Sequence, residues 1–144
     1  MPFQLEAVQK KGYISKLEML IMFELDIERE FSAAHCLKGY KGNCAERHGH
    51  NWIVQVFIKS EGLDELGIAL DFKVLKKELD AILESLDHKD LNNLPEFSEC
   101  NPTSERLAQL VFKRLASKVN SKGVKVSRVR VCESRSSGAS YFEE

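Results

Sequence analysis

The sequence predicts an α+β fold: a largely antiparallel four-stranded sheet with two helices on one face. Three observations carry this. Near the start, one stretch alternates apolar and polar residues with period two and a second is rich in β-forming residues. Two later stretches repeat their apolar residues at helical spacing. Further β-forming residues close the chain, giving the order β-β-α-α-β-β. With 144 residues, the chain has the length of one domain. We divide it into an N-terminal extension, 1–20, with no readable role, and a single domain, 21–144.

From Ile21 to Phe31, Phe23, Leu25, Ile27 and Phe31 take one side and Glu24, Asp26, Glu28 and Glu30 the other, with Arg29 a polar entry on the apolar side. This pattern predicts a strand with one wet face. Cys36–Asn43 carries Gly39 and Gly42 and reads as a loop. A second strand is expected from about His48 to Lys59, rich in β-formers such as Trp52, Val54, Val56 and Ile58. Asp71 is suited to cap a helix whose buried stripe is Phe72, Leu75, Leu79, Ile82, Leu83 and Leu86, ending near Asp87–Asp90. Asn101-Pro102-Thr103 opens a second helix, with Pro102 at a first-turn position and Leu107, Leu110, Val111 and Leu115 facing inward. Val124–Cys132 follows as a strand whose phase shifts around Ser127, the sign of a bulge. After a turn at Ser136-Ser137-Gly138, Ala139–Phe142 reads as a short last strand.

A net charge of -1 offers no basic excess for nucleic acid. No apolar run approaches the roughly 18 residues of a membrane helix. Lys10 and Lys11 precede no long apolar run with a small-residue cleavage site, so a cytoplasmic setting is expected, in which Cys36, Cys44, Cys100 and Cys132 stay reduced. None of these cysteines forms a Cys-x-x-Cys pair, which disfavours a four-thiolate zinc site.

The chemistry concentrates in His35, His48 and His50. Any one histidine is more often a satisfied polar group than a ligand. On a strand, however, His48 and His50 project to the same side, and a hairpin brings the end of the first strand, with His35, beside them. Three imidazoles suffice to hold zinc and leave its fourth position open. Cys44 lies four residues before the His-Gly-His pair in a polar, glycine-containing loop, where a thiol is a candidate nucleophile or base. Asp87-His88 reads either as a solvated helix end or as a carboxylate orienting an imidazole. Glu133 at a strand end is either solvated or an acceptor for paired N–H groups, and Glu105 in a first helical turn is more often a dipole partner.

Taken together, Phe-Ser-Ala-Ala-His-Cys (31–36), Cys-x-x-x-His-Gly-His-Asn-Trp (44–52), Leu-Asp-Phe-x-x-Leu-Lys (70–76), Leu-Asp-His-Lys-Asp-Leu-Asn (86–92), Asn-Pro-Thr-Ser-Glu (101–105) and Val-Cys-Glu-Ser (131–134) resemble the 6-pyruvoyl-tetrahydropterin synthase / 6-carboxytetrahydropterin synthase family. The resemblance implies the tunnelling fold, in which trimers close their sheets into a barrel and two trimers stack as a homohexamer. It implies zinc on His35, His48 and His50; a catalytic Cys44; Asp87 and His88 reaching that cysteine from a neighbouring subunit; and a pterin anchored by Glu133, with Thr103, Ser104 and Glu105 as secondary pocket residues. The implied substrate is 7,8-dihydroneopterin triphosphate; Lys38, Lys41 and Arg47 are candidates to receive its charge, although such side chains are more often simply solvated. Three product branches stay open: 6-carboxytetrahydropterin with acetaldehyde and triphosphate, the 6-pyruvoyl product, and 6-hydroxymethyl-dihydropterin. The last uses a glutamate directly after the cysteine; here that position is Ala45, with Glu46 one residue on. The compact Cys-x3-His-Gly-His loop is most similar to the 6-carboxy group, which serves 7-deazaguanine and queuosine synthesis. Outside this family, a zinc hydrolase using Glu46 or a non-catalytic metal-binding domain stays in play.

Overall fold

The computed structural model describes residues 22–144. The expected extension, 1–20, lies outside the described residues. Strands β1 (Phe23–His35) and β2 (His48–Ser60) form a long hairpin. Helix α1 (Phe72–Glu84), a two-residue strand β3 (Lys89–Asp90) and helix α2 (Ser104–Val119) follow, and β4 (Val124–Ser134) and β5 (Ser137–Tyr141) end the fold. The sheet has five strands in the order β3-β1-β2-β4-β5, not four. The added strand, β3, pairs parallel to the end of β1 through Ala33 and Ala34. Two residues carry no periodicity, so their pairing is set by where the turn after α1 lands.

One face of the sheet is apolar because β1 and β2 each send every second side chain to it. Trp52, Val54, Val56 and Ile58 of β2 are fully buried there, joined by Ile27 and Phe31 of β1 and Val129 and Val131 of β4. Leu75 and Leu79 of α1 and Leu107, Val111 and Leu115 of α2 complete this core. Truncating any one of these leucines to alanine would cost about 2–5 kcal/mol. The opposite face is charged: Glu24, Asp26, Glu28 and Glu30 run along β1 and Lys125, Arg128 and Arg130 along β4.

Local chemistry sets the helix ends. The Asp71 side chain accepts the Lys73 N–H at 2.8 Å and caps α1 as expected. Phe72, expected inside, is exposed at the first position of the helix. The helix stops at Ser85, short of Asp87, and the turn leads into β3. For α2 the cap is Thr103, whose hydroxyl accepts the Arg106 N–H at 3.2 Å. Pro102 therefore stands outside the helix rather than in its first turn. In β4 the register shifts opposite Phe57/Ile58, which leaves Ser127 as the bulged residue, as its phase predicted. A second shift between Cys132 and Ser134 bulges the strand at Glu133.

Candidate metal centre

The β1–β2 register pairs His35 with His48 and Ala33 with His50, which places all three imidazoles on the helix-covered face at one end of the hairpin. Their candidate ligand atoms lie within 4.8 Å of one another. His35 is buried and the other two are half-buried. Trp52 supports them from below: its ring meets those of His35 and His50 edge-on at 4.9 and 5.1 Å, and its indole N–H donates to the Ala33 carbonyl at 3.2 Å.

The hydrogen bonds assign the tautomers. His35 Nδ1 lies 2.8 Å from the Pro102 carbonyl oxygen, and His48 Nδ1 lies 2.7 Å from the Glu46 carbonyl oxygen. A carbonyl only accepts, so each Nδ1 carries the hydrogen and each neutral ring presents a bare lone pair at Nε2. Those two Nε2 atoms face each other at 3.0 Å. Two lone pairs at that separation repel unless a proton or cation stands between them. Among the described residues, His50 Nε2 is buried with no hydrogen-bond partner. Burial holds the His50 pKa below its ordinary value, with the Glu133 charge opposing, which favours the neutral form a metal requires. The donor set therefore fits a divalent ion of the zinc type: three imidazole nitrogens, two of them oriented by backbone carbonyls.

Glu133 completes the surroundings. Its carboxylate oxygens stand 3.7 Å from His35 Nε2 and 3.9 Å from His50 Nε2, so an acceptor for a bound ligand sits directly beside the triad. Cys44 lies in a short 3-10 turn, Asn43–Ala45, within the β1–β2 loop and is half-buried.

The remaining candidates are distributed differently. Asp87 Oδ1 accepts the Ser32 N–H at 2.8 Å, and its Oδ2 lies 3.0 Å from His88 Nδ1. The Ser32 bond is the main cause of an Asp87 pKa below the usual carboxylate range. His88 adopts a left-handed backbone (φ 57°) and its side chain is 82% exposed. Together with His50, Gly49 and Asn51 it lines a shallow depression of about 570 Å³. Among the described residues, neither Asp87 nor His88 makes a hydrogen bond or ion pair to Cys44. The Thr103 hydroxyl is engaged as the α2 cap; Ser104 and Glu105 begin that helix. Lys38 and Lys41 are exposed, but Arg47 is paired with Asp90 at 3.0 Å and so is already partly neutralised.

Sequence reasoning found the imidazoles but not their orienting groups. Pro102 and Glu46 act through backbone carbonyls, which no residue type announces. The clue available was Asn-Pro-Thr, read as a helix start and as part of the resemblance, with no role for the Pro102 carbonyl.

The profile of the family described as "6-pyruvoyl tetrahydropterin synthase" matches residues 24–144. A relative from Archaeoglobus fulgidus that provisionally bears the name 6-carboxy-5,6,7,8-tetrahydropterin synthase is 38% identical over 109 residues, covering 76% of this chain and 86% of its own. The 6-carboxy-5,6,7,8-tetrahydropterin synthase of a Synechocystis strain is 36% identical over 121 residues, covering 80% and 89%. A Pyrococcus furiosus dihydroneopterin monophosphate aldolase is 32% identical over 108 residues, covering 75% and 87%. The structure of Caenorhabditis elegans 6-pyruvoyl tetrahydropterin synthase superposes with a TM-score of 0.77 at 26% identity, covering 86% of this chain and 97% of that one.

Proposed function

The chain belongs to the 6-pyruvoyl tetrahydropterin synthase family, and from that premise we propose that it is a zinc-dependent 6-carboxy-5,6,7,8-tetrahydropterin synthase. In this reading it converts 7,8-dihydroneopterin triphosphate to 6-carboxytetrahydropterin, acetaldehyde and triphosphate, a lyase step toward 7-deazaguanine and queuosine. The observation that carries it is the pair of facing Nε2 lone pairs beside the unpartnered His50 Nε2, read with the names of the two 6-carboxy relatives.

His35, His48 and His50 would hold the zinc, which would supply Lewis acidity toward the substrate's side-chain hydroxyls. Glu133 accepts the paired N–H donors of the aminopyrimidinone ring and fixes the pterin beside the triad. Cys44 takes and returns protons at the side-chain carbons. In this reading Thr103, Ser104 and Glu105, at the start of α2, serve the pocket, and the exposed Lys38 and Lys41 meet the triphosphate.

Asp87 is half-buried on the Ser32 N–H and His88 stands exposed beside it, and among the described residues neither bonds to its own chain's cysteine. This supports a homohexamer, a dimer of trimers, in which the pair serves the cysteine of a neighbouring copy. Closing three sheets into a barrel would also cover the sheet edges. The composition offers nothing to nucleic acid, and no helix among the described residues is long and apolar enough to cross a membrane. A cytoplasmic setting suits four free cysteines.

The aldolase relative favours a second reading, cleavage to a 6-hydroxymethyl pterin. The test is incubation of the zinc-loaded protein with 7,8-dihydroneopterin triphosphate and identification of products by mass. 6-Carboxytetrahydropterin with acetaldehyde supports the proposal. A 6-pyruvoyl or 6-hydroxymethyl product moves the chain to that branch, and unchanged substrate refutes it.

A further inference from the structure

We infer that Asn92 and Asn101 are positioning residues for the Cys44 thiol, acting by clamping the backbone of the loop that carries it. This rests on the proposed role of Cys44 and is testable apart from it. The loop between β1 and β2 is mostly exposed from Lys38 to Asn43, so packing does little to hold it. Two carboxamides from elsewhere in the fold grip it instead. The Cys36 N–H donates to Asn92 Oδ1 at 2.8 Å, and Asn92 Nδ2 donates to the Cys36 carbonyl at 3.0 Å. The Lys38 N–H donates to Asn101 Oδ1 at 2.9 Å, and Asn101 Nδ2 donates to the Lys38 carbonyl at 3.0 Å.

Each asparagine thus satisfies both backbone groups of a single residue, a service a neighbouring strand would otherwise perform. The task requires one acceptor and one donor on the same short planar group. Asparagine has both; an ionised aspartate has only acceptors.

The grip reaches the thiol through the backbone. Leu37, between the clamped residues, donates its N–H to the Cys44 carbonyl at 2.8 Å. The turn then continues through Ala45 N–H to the Gly42 carbonyl and Glu46 N–H to the Asn43 carbonyl, both 3.0 Å. It ends at the Glu46 carbonyl that orients His48. Asn101 also directly precedes Pro102, whose carbonyl orients His35. The segment that holds the cysteine loop therefore also holds a metal ligand, which fixes the thiol relative to the triad.

The experiment uses zinc-loaded Asn101→Asp and Asn92→Asp proteins. The rate of Cys44 alkylation by iodoacetamide is read on its own tryptic peptide, 42–47, alongside zinc content, kcat and KM. Loss of the donor should raise the Cys44 rate about threefold or more and leave Cys100 and Cys132 unchanged. It should lower kcat about tenfold or more with KM within about twofold, because a small misplacement of a reacting group acts on the chemical step. Zinc should remain at one per chain. An unchanged Cys44 rate overturns the inference, and so does equal acceleration of all the cysteines, which would mean general loosening. If neither variant folds, amide exchange of the unaltered protein decides. Protected Cys36 and Lys38 amides within an exposed loop are expected; unprotected exchange at both contradicts the clamp. Turnover by Cys44→Ala would refute the proposed chemistry while leaving the alkylation and exchange results to judge the clamp.

Discussion

Replacing Gly138 with alanine should destabilise the edge of the sheet that presents Glu133. Gly138 pairs with Cys132 across β4 and β5, next to the bulge at Glu133. A Cβ at this position would lie 2.4 Å from Cys132 Sγ, 3.0 Å from the Val131 carbonyl oxygen and 3.2 Å from Arg130 Cζ. An unstrained contact between heavy atoms needs roughly 3.5–4.0 Å, so the methyl falls short by about 1.1 Å or more against the sulfur alone. The sulfur belongs to a buried side chain on a paired strand, and one further obstacle is backbone, so neither yields cheaply. Overpacking of this kind costs about 1–3 kcal/mol, which for a domain of this size lowers Tm by roughly 4–12 °C. Thermal melts at matched protein concentration measure it. Adding Cys132→Ala should restore much of the loss, giving a coupling of about 1 kcal/mol or more in a double-mutant cycle. Glu133 should shift with the bulge, so KM for the pterin should rise. A Gly138→Ala protein that melts within a degree of the parent, or a cycle with no coupling, would refute the packing argument.

Other expectations follow from the same geometry. Trp52→Phe removes the bond to the Ala33 carbonyl and reshapes the support under His35 and His50; zinc affinity measured by chelator competition should weaken about tenfold. Asp87 has a folded-state pKa below its ordinary value, so its stabilising contribution is full above that ordinary value, near pH 4, and fades as pH falls through the lowered one. Melts across pH 2–7 should therefore show a difference between parent and Asp87→Asn that closes at the acid end; a constant difference would contradict this. Cys44→Ala should lower kcat by about 100-fold or more while zinc content is unchanged, since proton transfer by a placed group contributes on that order. Undiminished activity would instead point to attack by metal-bound water.

Much of this was legible in the sequence because its periods are strong. The alternation in 23–31 and the β-forming run in 48–59 predicted the hairpin and, with it, the shared face of His48 and His50. The phase slip at Ser127 announced a real bulge. What was not legible depends on tertiary placement. Lys89–Asp90 form a strand because the turn after α1 delivers them to the edge of β1. Phe72 fits the helical stripe but lies at the helix start and is exposed there. Pro102 suits a first turn, yet the Thr103 hydroxyl caps the helix one residue later and frees the Pro102 carbonyl for His35. The resemblance supplied Asp87 and His88 as partners of the cysteine; within the chain Asp87 is half-buried and accepts the Ser32 N–H, and His88 is exposed beside it.

X-ray absorption at the zinc edge on reconstituted protein probes the triad most directly. It should show one ion per chain with three imidazole nitrogens at about 2.0–2.1 Å and one light atom, a pattern lost in His48→Ala. A sulfur shell near 2.3 Å would make Cys44 a ligand rather than a free thiol, and no stoichiometric zinc would leave the facing lone pairs of His35 and His48 without their ion.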